Sequence, residues 1–476
     1  MIIMALVYAA RTGGCTHKMI NGVKMDIRIT GRLDLDANKQ HIPHAFTVPP
    51  KATKLYISMT YVDLEPVDSR YDTQISLTVF DPQGARGARH CNPDQTLTLT
   101  AHTSTPGYVP GTLQAGTWTV WIDTHRLVVP LEYTIDIAIS TEPISENPVV
   151  YAKGSTAPRG RGWYRGDLHS HTLHSDGEWD VPDLVRWARE QQLDFVTLTD
   201  HNTVSGLAQL DSLADDSLLT MGGVELTGYN GHALALGTRH WMEWRAGLND
   251  QTMPMLAQQV MDAGALFIIA HPMALGDPYC TGCDWTHPDM MPGNARIVEI
   301  WNYVWNLDSN NDQAVSLWYE WLNQGYRMVA TRGTDIHGPI PDAPEDIGFD
   351  VVYAEALSEA AILDAIRRGH LYLSAGPTLE LTATNADGQT AMMGDVIAGE
   401  SVEVRLQWSD ALPGDQMKVM VNGVCVERMP IEGEGTYTRT MRAADARWCV
   451  FEIRAEDGAM RAITNPILLG SDADWR

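Results

Sequence analysis

The stretch from Trp163 to Asp176, Trp-Tyr-Arg-Gly-Asp-Leu-His-Ser-His-Thr-Leu-His-Ser-Asp, constrains the fold more than any other part of the chain. Side chains alternate between the two faces of an extended strand, so His169 and His171 lie on the same face as Asp167. Two imidazoles on one strand face can chelate a metal ion. Two buried histidines that only accept and donate hydrogen bonds are the alternative at this point.

Strand and helix patterns alternate from Trp163 to Pro377, which predicts a parallel sheet or barrel. Asp180 is a helix cap, with Pro182 in the first turn. Residues 195–199 then form a buried apolar strand. Further strands are predicted at 219–226, 232–237, 266–271, 296–301, 327–331 and 348–353, and helices at 253–263, 310–323 and 358–368.

The flanking segments show the short alternating patterns of antiparallel strands. A length of 476 residues exceeds one ordinary core and predicts three domains. The first 24 residues form a leader without the positive charge that a signal peptide places before its apolar run. The predicted order is a leader at 1–24, an N-terminal β-sandwich at 25–145, a linker at 146–162, a barrel at 163–377 and a C-terminal β-sandwich at 378–476.

Composition excludes several classes of partner. The formal net charge of −26 repels polyanions, so duplex nucleic acid is not expected as a partner. No apolar run is long enough to span a membrane. The six cysteines are scattered, which favours a reducing cytoplasm over export. Cys280 and Cys283 are half of a zinc ribbon without its other half, so we expect a structural thiol pair or a disulfide.

Residues able to bind metal recur where the predicted strands of the central domain end. They are His169, His171, Asp176, His201, Glu225, His232, His271, Asp335 and His337. The carboxyl ends of barrel strands converge on one rim, so we expect these side chains to meet. Nine nitrogen and oxygen ligands exceed the needs of one tetrahedral ion and suit two or three divalent ions of manganese, iron or zinc. Each residue alone would more often be an ordinary hydrogen-bonding group.

Several short motifs resemble those of the PHP (polymerase and histidinol phosphatase) family. They are Gly166-Asp167-Leu168-His169-Ser170-His171, Ser175-Asp176-Gly177, Thr199-Asp200-His201-Asn202, Gly223-Val224-Glu225, His271-Pro272 and Gly333-Thr334-Asp335-Ile336-His337. The stretches Cys280–Trp285 and Glu299–Asn302 resemble the carbaryl-hydrolase-like branch. The resemblance implies an α/β fold, a distorted (β/α)7 barrel between the two β-sandwiches, with two or three metal ions at its rim.

The resemblance also implies how the ligands divide. It assigns one ion to His169, His171, Glu225 and Asp335, a second to Asp176, His201 and His337, and a third to His232 and His271 with Glu225 bridging. Some three-metal relatives have histidine near the position of Asp176, which leaves the occupancy of one site open.

The absence of lysine between Lys153 and Lys418 separates this chain from the nearest alternative. Many amidohydrolase barrels also begin with His-x-His, but they bridge two metals with a carbamylated lysine. That bridge is impossible here, so a carboxylate must take its place, and Glu225 is the best-placed candidate.

The predicted activity is metal-dependent hydrolysis, in which a metal-bridging hydroxide attacks a phosphate mono- or diester of a small molecule. Asp335 serves as a ligand, His201 or His271 protonates the leaving group, and Arg332 contacts the phosphate or forms a strand-end ion pair. Hydrolysis of a carbamate, ester or amide is the alternative chemistry. A non-catalytic binding protein with a vestigial barrel is the alternative class, and a homo-oligomer is left open.

Overall fold

The computed structural model describes residues 26–67, 69–306, 309–339 and 347–476, with the backbone of 19–20 and 23–24. The chain divides into two compact units, Met1–Val150 and Tyr151–Arg476. The predicted leader lies outside the described residues, apart from the paired strands β1 (Met19–Ile20) and β2 (Val23–Lys24). The predicted boundary at residue 377 falls within the second unit. The described residues contain both helices and strands, and strands predominate, so the fold is mixed α/β and rich in strands.

The first unit contains two four-stranded antiparallel sheets, which enclose one hydrophobic core. Their strands are β3 (Ile27–Leu33), β4 (His41–Val48), β5 (Lys54–Asp63), β6 (Gln74–Asp81), β7 (Gly84–Ala88), β8 (Thr96–Thr100), β9 (Gly116–Arg126) and β10 (Leu131–Ser140). The order is β3-β10-β5-β8 in one sheet and β4-β9-β6-β7 in the other. The core takes Ile57 from the first sheet and Trp118 from the second, because alternate side chains of each strand point inward.

The second unit begins with strands and helices in alternation. The strands are β11 (Gly162–Asp167), β12 (Phe195–Leu198), β13 (Leu219–Thr227), β14 (His232–Leu236), β15 (Leu266–Ile269), β16 (Ile297–Asn302), β17 (Val329–Gly333), β18 (Phe349–Ala354) and β19 (Leu371–Ser374). The helices are α1 (Val181–Glu190), α2 (Leu207–Ser212), α3 (Met253–Asp262), α4 (Asn311–Asn323) and α5 (Glu359–Arg368). The predicted cap of α1 is confirmed, since the Asp180 carboxylate accepts from the Val181 amide at 2.7 Å.

The strands form the order β17-β16-β15-β14-β13-β12-β11-β18-β19, and not all of them are parallel. β11, β12 and β13 are parallel, as are β15, β16 and β17. β14 and β18 each run antiparallel to both of their neighbours. A four-residue turn joins β13 to β14 and leaves no room for a crossover helix. The regular parallel alternation that the sequence predicts therefore holds for only part of the sheet.

The remaining strands extend this sheet and build another. They are β20 (Thr378–Asn385), β21 (Thr390–Met392), β22 (Val396–Ile397), β23 (Ser401–Ala411), β24 (Gln416–Val421), β25 (Val424–Pro430), β26 (Gly433–Arg442), β27 (Trp448–Arg454), β28 (Met460–Thr464) and β29 (Ile467–Leu469). β19 pairs with β28, so the sheet continues through β27 and β24 to β25. The other sheet has the order β21-β20-β23-β26.

Asn465 connects these later strands to β17, which stands at one end of the sheet order. Its side-chain Oδ1 accepts from the Ala330 amide at 2.8 Å, and its Nδ2 donates to the Ala330 carbonyl at 2.9 Å and the Leu371 carbonyl at 3.0 Å. The amide therefore occupies the place that the backbone of a neighbouring strand would take. This contact secures the strand that leads into Asp335.

No helix in the described part of the chain is long and apolar enough to cross a membrane.

Candidate metal centre

Two segments lie side by side at the ends of β11 and β17, joined by a single parallel bridge between Ser170 and Ile336. The His171 amide donates to the Ile336 carbonyl at 2.9 Å, and the Asp335 amide donates to the His169 carbonyl at 2.8 Å. Asp167 holds the two segments together, because its carboxylate accepts a hydrogen bond from the Thr334 amide at 2.9 Å. The predicted pair 169/171 and the predicted pair 335/337 are thus brought onto neighbouring strand ends.

The first group of ligand atoms comes from His169, His171, Glu225 and Asp335. The Nε2 atom of His169 lies 3.2 Å from a Glu225 oxygen, and that of His171 lies 2.9 Å from Asp335 Oδ1. One atom from each of the four residues lies within 4.8 Å of the others. The four residues come from the ends of three strands, His169 and His171 after β11, Glu225 near the end of β13 and Asp335 after β17.

The second group comprises His171, Asp176, His201 and His337. Asp176 Oδ1 lies 3.4 Å from the Nε2 atoms of both His201 and His337. The His171 ring stacks on those of His201 and His337, with centroids 4.3 Å apart in each pair. His171 therefore borders two groups, whereas the family resemblance gives it to the first alone.

The third group is formed by Glu225, His232 and His271. Glu225 Oε1 lies 3.1 Å from Nδ1 of His232 and 3.2 Å from Nε2 of His271. The other nitrogen of each ring faces a backbone carbonyl. Nε2 of His232 lies 3.2 Å from the Thr281 carbonyl oxygen, and Nδ1 of His271 lies 3.0 Å from that of Cys283. A carbonyl can only accept, so in the neutral ring it selects the tautomer that leaves the nitrogen near Glu225 without a proton.

Charge is concentrated around Glu225, which is completely buried. Burial raises the pKa of this carboxyl, but the surrounding imidazoles, His201 first, outweigh burial and hold the pKa well below its ordinary value. Burial lowers the pKa of His271, and Glu225 outweighs that effect and raises the pKa to about 9. The pKa of His171 moves the other way: burial, together with the neighbouring His201 and His337, lowers it to about 3.

The residues fit divalent ions. Neither ring nitrogen of His171 nor Oδ1 of Asp335 makes a hydrogen bond of normal geometry among the described residues, although all three atoms are buried and His171 Nε2 lies 2.9 Å from Asp335 Oδ1. Buried polar atoms without partners are costly, and a cation held between His171 Nε2 and Asp335 Oδ1 would satisfy two of them. The mixture of imidazole and carboxylate donors is compatible with manganese, iron or zinc.

One side of the centre is open. The side chains of His169, His171 and Glu225 are fully buried. The side chains of Asp176 and His337 are 26% and 40% exposed to solvent. A substrate would therefore approach from the side of the second group, while the third group lies deeper.

Glu299 and Asn302 also lie at the centre, although the sequence marked them only as part of the stretch that resembles the carbaryl-hydrolase-like branch and not as site residues. Glu299 Oε2 lies 2.9 Å from Nδ1 of His169, on the side away from Glu225. The Asn302 amide donates to Glu299 Oε1 at 2.7 Å and to Asp335 Oδ2 at 3.1 Å. Both residues belong to β16, so their position on a strand that leads to the rim was the available signal.

Arg332 is not part of any of the three groups. Its guanidinium is buried, donates to the Tyr303 carbonyl at 2.6 Å and lies 5.0 Å from the Trp301 ring centroid. Burial lowers its pKa to about 10. Trp301 and Trp285 are buried in the core, and Cys280 and Cys283 form a disulfide.

Comparison with known proteins yields structural similarity alone. No family model matches the chain, and no curated protein matches it. One similar structure is a two-domain protein from Bacteroides vulgatus that contains a predicted PHP-like metal-dependent phosphoesterase, with 16% identity over 65% of this chain and 97% of that one and a TM-score of 0.37. A candidate metal-dependent phosphoesterase from Bifidobacterium adolescentis shows 15% identity over 39% and 88%, with a TM-score of 0.27. An amidohydrolase from Chromobacterium violaceum shows 14% identity over 37% and 88%, with a TM-score of 0.26.

Proposed function

We propose that this chain is a metal-dependent hydrolase of the PHP type that cleaves phosphate mono- or diesters of small molecules. The observation that carries the proposal is the sharing of residues between groups. Glu225 belongs to the first and third groups, and His171 to the first and second. Ions held by these groups would be neighbours, which is how hydrolytic centres with several metals are built.

The metal-binding residues would be the nine that the groups contain: His169, His171, Asp176, His201, Glu225, His232, His271, Asp335 and His337. Bound divalent ions would supply a water of lowered pKa and would stabilise negative charge on the phosphoryl group. The chain's own carboxylates, Glu225 and Asp335, offset the ionic charge in the buried part of the centre. Glu299 orients the His169 ring through Nδ1.

His201 is the better placed of the two predicted proton donors. It lies next to Asp176, on the open side where an ester would enter. The rings of both histidines are held, His271 by Glu225 and the Cys283 carbonyl and His201 by Glu225 and Thr227, so the position on the open side decides between them. We therefore assign protonation of the leaving group to His201.

Arg332 favours a second candidate chemistry. Because its guanidinium donates to the Tyr303 carbonyl, it is directed to the protein and not to a substrate phosphate. The charge of a phosphoester would then be met by metal ions alone. A neutral carbamate or ester needs no such cation, so carbonyl hydrolysis is retained as the alternative.

The test is a substrate panel on manganese- and zinc-loaded protein: p-nitrophenyl phosphate, bis-p-nitrophenyl phosphate and a naphthyl carbamate. We expect phosphoester turnover that falls by at least about 100-fold in Asp335→Asn. Asp364→Asn is the matched control, since Asp364 forms a surface ion pair with Arg368. Turnover of the carbamate alone would support the second chemistry. Less than one ion per chain and no turnover would favour a binding protein.

A further inference from the structure

The loop between β15 and β16 carries a small covalent ring, the four residues from Cys280 to Cys283 closed by their disulfide. The two cysteines are partly exposed, whereas Thr281 and Gly282 between them are buried. One edge of the ring thus faces solvent and the other faces the protein.

The buried edge contacts both histidines of the third group. The Thr281 carbonyl lies 3.2 Å from Nε2 of His232, and the Cys283 carbonyl lies 3.0 Å from Nδ1 of His271. These two imidazoles come from different strands, β14 and the end of β15. Both backbone acceptors belong to the disulfide ring.

The ring is seated closely on the turn that follows Glu225. Gly282 has φ +78°, and a Cβ atom there would lie 2.1 Å from the Gly228 carbonyl oxygen. Only glycine allows both this conformation and this approach. The Thr281 hydroxyl also donates to Asp277 Oδ1 at 2.9 Å, so the ring is held from within its own loop.

We propose that the Cys280–Cys283 disulfide is a positioning element for His232 and His271, and that its reduction selectively weakens metal binding by the third group. This inference rests on the proposed metal centre. In the reduction step a dithiol gives two electrons and two protons to the disulfide, the S–S bond breaks, and two thiols form. The dithiol itself becomes a disulfide.

The physical reason lies in the second hydrogen bond of each ligand. Backbone acceptors behind metal-binding histidines fix ring orientation and tautomer, and their loss weakens metal affinity by about 10- to 100-fold. Opening the ring restores backbone freedom to residues 280–283 and spreads the positions of both carbonyls. His169, whose Nδ1 contacts Glu299, does not depend on this loop.

The experiment titrates the full-length protein with zinc against a chromophoric chelator. Four forms are compared: oxidised wild type, wild type reduced with dithiothreitol that is then removed anaerobically, reoxidised wild type, and Cys280→Ser/Cys283→Ser. Cys425→Ser is the control, because Cys425 is exposed on β25. We expect one class of sites to weaken by at least about 10-fold in the reduced and double-serine forms, with the other sites unchanged and affinity restored on reoxidation.

The variant His232→Ala tests whether the effect of reduction acts through the third group. In that variant the third group is already lost, so reduction should change zinc affinity no further. Equal affinities in oxidised and reduced wild type would overturn the inference while leaving the proposed function intact, as would an equal effect of reduction in His232→Ala. Failure of the oxidised wild type to bind zinc would overturn both proposals.

Discussion

Glu225 is the residue on which the largest number of candidate ligands converge. Its carboxylate lies within 3.3 Å of nitrogen atoms on His169, His171, His201, His232 and His271. A single buried charge therefore compensates several imidazoles and would be shared by neighbouring ions. Loss of this charge should affect more than one ion.

Replacing Glu225 by glutamine tests this sharing. The amide preserves the shape but removes the negative charge, so we expect the bound metal to fall by more than one ion per chain and turnover to drop by at least about 100-fold. Elemental analysis and steady-state kinetics provide the measurements. Glu355→Gln changes the same residue type in a surface ion pair with Arg161 and should alter neither. Loss of one ion only would argue against a shared carboxylate.

Glu299 contacts His169 and none of the other candidate ligands named for the first group, so its effect on a bound metal would be indirect and should be smaller and graded. In Glu299→Gln the acceptor for His169 Nδ1 remains but loses its charge, and in Glu299→Ala it disappears. We expect metal affinity to fall by about 10-fold in the first variant and by about 100-fold in the second. Competition with a chelator measures both values. Equal affinities in the two variants would mean that Glu299 contributes packing alone.

At the scale of the element, β17 depends on a side chain for part of its pairing. Asn465→Ala would leave the buried Ala330 amide and carbonyl without the partners described above. Each unsatisfied buried group costs about 1–3 kcal/mol, so we expect the two groups together to lower the free energy of unfolding by about 2–6 kcal/mol. Urea denaturation of the metal-free variant measures the loss. A change below about 0.5 kcal/mol would show that Ala330 finds other partners.

Elements with strong local patterns were predictable, and those that depend on distant contacts were not. The strand predicted at 266–271 is observed as β15 (Leu266–Ile269), and α1 begins directly after its predicted cap, Asp180. Strand ends could be recognised because metal-binding residue types recur there, whereas Glu299 precedes its strand end by three residues and resembles a core position. The strand predicted at 232–237 is present as β14, but its antiparallel direction was not predicted, because a lone strand pattern carries no direction. The partners of Arg332 and Asn465 come from segments that only the folded chain brings together.

At the scale of the whole molecule, the unit Tyr151–Arg476 contains the candidate centre together with the strands that support it. A fragment of residues 151–476 should therefore fold and bind metal. A fragment of residues 151–377 would lack β28, the partner of β19, and also Asn465, so we expect it to aggregate. Size-exclusion chromatography and metal analysis distinguish the two outcomes. A monomeric, metal-binding shorter fragment would contradict this division.

The hairpin of β13 and β14 has a consequence for the order in which the centre assembles. Glu225 and His232 are seven positions apart and lie diagonally across this hairpin, because Glu225 pairs with Leu234 and His232 with Thr227. Glu225 and His169, by contrast, are separated by 56 positions. Local contacts form before distant ones during folding. We therefore expect amides of the hairpin to gain protection first in pulse-labelled refolding, with a carboxylate and an imidazole already paired before the remaining ligands arrive.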